Sequence, residues 1–402
     1  MLSSAGTAAL GVVFWAMATR LVRAEYLGRA TSEIAAMALI ANLSQLGFGS
    51  TFERFLPIAG GQTRSLIVKG YALSGTVAFT GSVIYISLPV SRLVLGGAAQ
   101  RLVFVFSTVA WTIFVLQDRV LIALRKSSLV PVENLSFSTT KLLLLPMIVA
   151  ASATQGIYLA WTVPVVVAVG VVSRYVFGVL VPRHVQRRAN ADTLPTIATI
   201  VKLALGQYVT TLLRVFSTSI VALIVIDTVG AIQSAYYYIP AMIASALGQL
   251  IYNIVTSFLV ESSFDAESVG THAKSALRVM ATVLVSGVVV GEVFASLILS
   301  IFGKSYAHHG TTLLRLLLLS LPALAVTEFY AAFAWLDRRV WWLAGRELVS
   351  LALYLGLVLI LIGHLGIIAT GWAALGSAAT QALFFAPILA RRYRSETQRA
   401  PS

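Results

Sequence analysis

The sequence predicts an all-α polytopic membrane protein, with about twelve transmembrane helices in two six-helix lobes around a central cavity. Three observations carry this. The mean hydropathy is +0.89, with 58% hydrophobic and 11% charged residues, the signature of a chain whose solvent is lipid. The apolar runs exceed about 20 residues and lack period-2 alternation, so backbone groups are satisfied within helices and not in a barrel. The basic residues, finally, gather in alternate loops.

Apolar runs between charged or turn-rich breaks predict helices near residues 3–19, 32–52, 66–89, 102–123, 129–151, 157–181, 197–225, 230–259, 276–301, 312–335, 341–363 and 367–390. The positive-inside rule tests this series. With a cytoplasmic N-terminus, 18 of the 29 Lys and Arg fall in inside segments, 7 in outside segments, and Lys141, Arg174, Lys202 and Arg214 lie in spans. The bias supports an even number of spans with both termini cytoplasmic. It also accounts for the net charge of +14 as a topology signal, and nucleic acid is not an expected partner.

The longest polar interruption near the middle, "PRHVQRRANADTLPT", divides the chain. The expected organisation is a six-helix lobe over 1–182, a cytoplasmic linker over 183–196, a second lobe over 197–390 and a cytoplasmic tail over 391–402. "EYLGRATSE" after the first span and "DTVGAIQSA" after the seventh place Gly28 and Gly230 about half a chain apart, as a repeated unit would.

Several chemistries are excluded. With no cysteine, disulfides, thiolate metal sites and cysteine nucleophiles are absent. His184, His272, His308, His309 and His364 are scattered, and the adjoining pair His308–His309 reads as part of a short loop without carboxylates. Metal ligands converge from spaced positions, so neither a metal nor another cofactor is expected. No basic n-region or small-residue cleavage site marks a signal peptide.

Polar side chains within a bilayer need a partner or water, and a basic residue at a helix centre costs at least about 2.5–3.5 kcal/mol by insertion scales. In the seventh span Gln207, Thr210, Thr211, Arg214, Ser217 and Thr218 form one continuous face at 3.6 residues per turn. In the eighth, Ser234, Tyr238, Ser245, Gln249, Asn253 and Thr256 share a side, and Pro240 permits a kink. Asn42, Gln45, Gly49 and Glu53 align in the second span, with Arg54 beside them; Asn134, Ser138 and Lys141 align in the fifth, next to Glu133. Shorter stripes run through Glu292, Ser296 and Ser300, through Glu347, Ser350 and Tyr354, and through Ser377, Thr380 and Gln381. Packing through hydroxyls explains the Ser and Thr positions but not Arg214. Arg174 and Lys202 lie near helix ends and can snorkel, and most of the tryptophans read as interfacial belts. The expectation is a hydrated, net-cationic cavity for an anionic, hydroxyl-rich amphiphile: Arg suits phosphate, and Asn, Gln, Ser, Thr and Tyr suit sugar hydroxyls.

The N-terminal stretch "ATRLVRAEYLGRATSEIAAMALIANLSQLGFGSTFERFLPIAG" resembles the start of bacterial polysaccharide flippases, the oligosaccharide-lipid branch of the superfamily that includes multidrug MATE transporters. The match rests on Arg20 closing the first helix, on Tyr26 with Gly28, and on Gly47, Gly49 and Arg54. It is clear over about the first sixty residues. The resemblance implies alternating access that moves a prenyl-pyrophosphate-linked glycan from the inner to the outer leaflet of a bacterial cytoplasmic membrane. Membrane lipids and a glycan polymerase or ligase would be the partners. It maps the family's cavity arginines to Arg20 and Arg54 and its seventh-helix basic residue to Arg214. The substrate-binding set expected is Arg20, Arg54, Lys141, Gln207, Arg214, Gln249 and Asn253. Arg54 is the expected pyrophosphate contact at the inner mouth, with an ordinary inside-facing anchor as the plainer alternative. "YLG" stands where "FG" is commoner, and the chain begins almost inside its first helix, so a start further upstream is expected. No extra helix pair is present, as the lipid II flippase branch would have.

Two rival readings follow. An ion-coupled, MATE-like exporter of organic cations would need an acidic cavity, and Glu133, Asp227, Glu292 and Glu328 are the candidates for binding a coupling Na⁺ or H⁺. A membrane-embedded glycan polymerase or glycosyltransferase would need acidic or histidine groups on a substantial outer loop. The outer loops here are short and no DxD occurs, so no catalytic residue is assigned and an enzyme is not expected.

Overall fold

The structure, a computed structural model, describes the backbone of residues 2–187, 197–264, 268–337 and 339–399. The side chains of residues 2–5, 187, 197–207, 210, 211, 214, 217, 218, 263, 264, 340 and 394–399 lie outside the described residues. Gln207 and Arg214, with the rest of the seventh-helix stripe, are among these.

Every described element is helical. α1 spans Leu2–Leu21, α2 Ala24–Ser44, α3 Phe48–Phe55, α4 Thr63–Ser87, α5 Ser91–Val94, α6 Ala98–Ala123, α7 Leu129–Ala151 and α8 Gly156–Tyr175. A π-turn over Val176–Leu180 leads into α9, Val181–Arg187. Then come α10 (Ile197–Phe264), α11 (Val269–Ser300), α12 (Lys304–Leu336), α13 (Val340–Leu365) and α14 (Ile368–Arg399). α10 is two helices, because Gly230 at φ 85°, ψ 173° leaves helical geometry. That conformation is open only to glycine, and it falls where the seventh and eighth spans are expected to part.

Nine helices among the described residues are long and apolar enough to cross a membrane, and the bent pair α2–α3 adds a tenth. The apolar part of α1, Gly6–Leu21, is shorter than that test requires, and the stretch Ser219–Ser262 holds the end of the seventh helix together with the eighth. Gly230 divides α10 in two, and the protein is a multi-pass, all-α membrane protein.

The structure corrects several boundaries. The second span begins at Ala24 and not near 32, because Glu25 and Arg29 form an i,i+4 pair at 2.7 Å that suits a polar first turn. It is also broken: Leu46 and Gly47 have positive φ, and the chain bends by 50° before α3. His308 and His309 lie in the second turn of α12, not in a loop. Arg315 and Arg346 lie within α12 and α13, so neither belongs among the loop charges.

Packing divides the chain into Met1–Asp227 and Thr228–Ser402. The seventh helix thus groups with the first six, and the six-and-six division about 183–196 remains a reading of the sequence. In the first unit α6 is the hub, touching α2, α3, α4 and α8. At the end carrying α3, Phe52, Leu56, Ile67, Leu116, Val120 and Leu121 form a buried core. In the second unit α12 is the hub, packed on α11, α13 and α14.

Candidate functional site

In the first unit Lys141 on α7 is 5% exposed. Its Nζ lies 3.7 Å from the centre of the Trp161 ring, 4.8 Å from that of Phe137 and 5.1 Å from that of Phe14. Trp15 and Trp111 extend this aromatic cluster. Trp111 and Trp161 are thus half-buried and packed against neighbouring rings. The cluster holds a cation by its ring faces, an attraction of about 2 kcal/mol when water is excluded.

Three carboxylates of the same unit are withdrawn from water. Glu33 on α2 accepts a hydrogen bond from Gln100 Nε2 at 3.0 Å while its Oε1 is unpartnered. Asp118 on α6 accepts from Asn134 Nδ2 at 3.3 Å, and its Oδ1 is unpartnered. Glu133 on α7 is 8% exposed, and neither of its oxygens has a partner. The Tyr71 hydroxyl on α4 is likewise buried and unpartnered, and it lies within electrostatic range of Asp118 and Glu133. Sequence reasoning singled out only Glu133 of the three. Glu33 falls inside the second predicted span but outside its polar stripe, and Asp118 belongs to no stripe of its span. Its one visible signal was depth: it lies five residues before the end of α6.

In the second unit Glu292, Glu328 and Glu347 each lie against an arginine. Arg346 Nη2 meets Glu328 at 3.3 Å and also bonds Glu347; its Nη1 donates to the Thr327 carbonyl at 3.1 Å. Arg315 Nε lies 3.8 Å from a Glu292 carboxylate oxygen and donates to the Glu292 carbonyl. Gln381 Nε2 donates to Ser350 Oγ at 3.0 Å, which joins the stripes of α13 and α14 as helix–helix contacts.

The expected site residues are placed unequally. Arg20 and Arg54 are exposed in the last turns of α1 and α3, and Arg54 lies over the Phe55 ring. Its neighbour Glu53 is paired with Arg119 at 2.7 Å, so the second-span stripe meets α6. Lys141 is enclosed by rings. Gln249 and Asn253 are brought together, Nε2 to Oδ1 at 3.1 Å. With Ser245 and Thr256 they form an exposed polar run on the eighth helix, whereas Ser234, on the same predicted side, is buried.

No protein-family model matches the chain, and no curated protein matches it. Solved structures do. A multidrug resistance MATE family transporter of the MOP superfamily, in an inward-facing conformation, superposes with a TM-score of 0.71 at 12% identity, over 96% of each chain. The lipid II flippase MurJ, inward closed, gives 0.66 at 11% identity, over 99% of this chain and 89% of its own. A MATE protein in complex with MaL6 gives 0.61 at 14%, over 98% and 97%. The chain thus has the fold of MOP-superfamily transporters along nearly its whole length.

Proposed function

We propose that this chain is a flippase that moves a prenyl-pyrophosphate-linked oligosaccharide across a bacterial cytoplasmic membrane by alternating access. The observation that carries the reading is the whole-chain likeness in fold to a lipid II flippase and to MATE transporters. Arg214, Arg20 and Arg54 read the pyrophosphate, for which guanidinium supplies bidentate donors. Gln207, Gln249 and Asn253 meet sugar hydroxyls. The exposed polar run about Gln249 supports this role, because lipid offers such groups no hydrogen bonds. Lys141, closed in by rings, adds attraction at longer range. Both termini are cytoplasmic, a glycan polymerase or ligase is the expected partner, and the protein is no enzyme. A fluorescent lipid-linked oligosaccharide in proteoliposomes, followed with an outer-leaflet quencher, tests the reading: protein-dependent flipping supports it, and its absence with several glycans under imposed ion gradients refutes it.

A second reading, an ion-coupled exporter of small cations, is favoured by the unpaired carboxylates Asp118 and Glu133. Efflux of a fluorescent organic cation from the same vesicles, with no flipping, would select it.

A further inference from the structure

The sequence sets His308 beside His309 and runs a polar stripe through Glu292, Ser296 and Ser300, and the proposed substrate path uses none of them. The structure gathers them at the end of the second unit where α11 turns into α12. Ser296 and Ser300 on α11 and Lys304, Ala307, His308 and Thr311 on α12 line one open groove of about 540 Å³. That is the size of a small-molecule site and far more than a bare ion fills. Glu292, Ser296 and Ser300 stack along one face of α11, and Lys304, His308, Thr311 and Arg315 along one face of α12, because each set steps by three or four residues. The two histidines part company here. His309 stacks on Tyr236 with ring centroids 4.6 Å apart, whereas His308 is exposed and lines the groove.

Charge and surface decide what fits the groove. Lys304 is the first residue of α12, a helix of 33 residues without a side-chain cap at its N-terminus, so its ammonium adds to the positive end of the helix dipole. Arg315 lies 3.8 Å from the Glu292 carboxylate and offsets it, which leaves the Lys304 charge in excess among these groups. Val293, Leu297 and Ile301 each follow a member of the α11 stripe by one residue, and all three are exposed. An apolar ladder thus runs along α11 from the groove into the span. A free anion would use the cation and leave this ladder bare, while a lipid uses both. A zwitterionic headgroup would bring its own ammonium against Lys304 and Arg315, whereas an anionic one is attracted. We infer that the groove holds the headgroup of an anionic phospholipid. Lys304 pairs with the phosphate oxygens, His308 donates a ring N–H to them, the Ser296 hydroxyl meets the glycerol, and an acyl chain lies along Val293 and Leu297.

The site lies wholly within the second unit and concerns a bound lipid, so it stands or falls apart from the translocation assay. The test is thermal unfolding of the purified full chain in detergent, titrated with dioctanoyl phosphatidylglycerol. Dioctanoyl phosphatidylcholine and inorganic phosphate are parallel arms. Binding to the native state raises the unfolding temperature with saturation. The expected result is a saturable rise with phosphatidylglycerol and none with the other two at the same concentrations. In Lys304→Gln the midpoint moves by about tenfold or more. In Ser296→Phe, which fills the groove and leaves every charge in place, the rise vanishes. Lys274→Gln, near the start of α11 at the opposite end of that helix, titrates like wild type. Should Ser296→Phe not purify, His308→Gln takes its place and weakens binding likewise. An equal rise with phosphatidylcholine or with phosphate, or an unchanged midpoint in either groove variant, overturns the assignment.

Discussion

Arg346 on α13 and Glu328 on α12 meet at 3.3 Å with side chains only 5% and 11% exposed. Glu347 shares the same guanidinium. The two helices are thus joined through buried charges. Removing one member leaves an uncompensated buried charge, at a cost of about 3–5 kcal/mol. Arg346→Ala should therefore lower the unfolding temperature far more than Glu328→Gln, after which Glu347 still pairs the arginine. Thermal unfolding in detergent checks the order, and equal small effects would show that the cluster is hydrated.

Gly230 joins the seventh and eighth helices at φ 85°, ψ 173°, and a Cβ there would meet nothing within 4 Å. Any penalty is thus conformational. Gly230→Val should cost about 1–3 kcal/mol, read as a drop in unfolding temperature. An unchanged value would show that the two helices join in another geometry.

Close packing of α14 on α12 rests on Gly371, where a Cβ would lie 2.8 Å from Leu316 Cβ. Neither atom is the free end of a flexible side chain, so the helices must part. Gly371→Val should destabilise the second unit by about 1–3 kcal/mol, as overpacking does. Gly363→Ala, with open space around it, should be neutral. The pair is read side by side in one melting experiment.

Lys141 has three rings about its ammonium. The ring attraction of about 2 kcal/mol does not cover the loss of hydration of an ammonium. Lys141→Met should keep or raise the unfolding temperature while lowering transport of an anionic lipid. Unchanged transport would reduce Lys141 to a packing group.

The membrane architecture was legible because lipid demands long apolar runs, and α7, Leu129–Ala151, coincides with its predicted span. Hydropathy measures immersion and not helicity, so polar helix starts were read as loops: Ala24–Thr31 in α2, and Lys304–Thr311 with its two histidines in α12. The bend at Gly47 was hidden because a left-handed glycine leaves no mark in an apolar count. Among site residues, stripes located the exposed Gln249–Asn253 pair. They could not tell a stripe facing solvent from one facing a neighbour, as with Ser350 and Gln381. Asp118 was missed because it belongs to no polar stripe, and only packing sets it beside Asn134. Arg214 remains a prediction of helical periodicity.

The most direct test of the central claim compares Arg214→Ala with Arg174→Ala in leaflet translocation. Arg174 is exposed in the last turn of α8, where snorkelling explains it, whereas Arg214 falls mid-span. Proteoliposomes would carry a fluorescent prenyl-pyrophosphate oligosaccharide, with insertion verified for both variants. The account predicts flipping by wild type and Arg174→Ala and its loss in Arg214→Ala. Equal loss in both, or retention in Arg214→Ala, would contradict a cationic path that reads the lipid-linked anion.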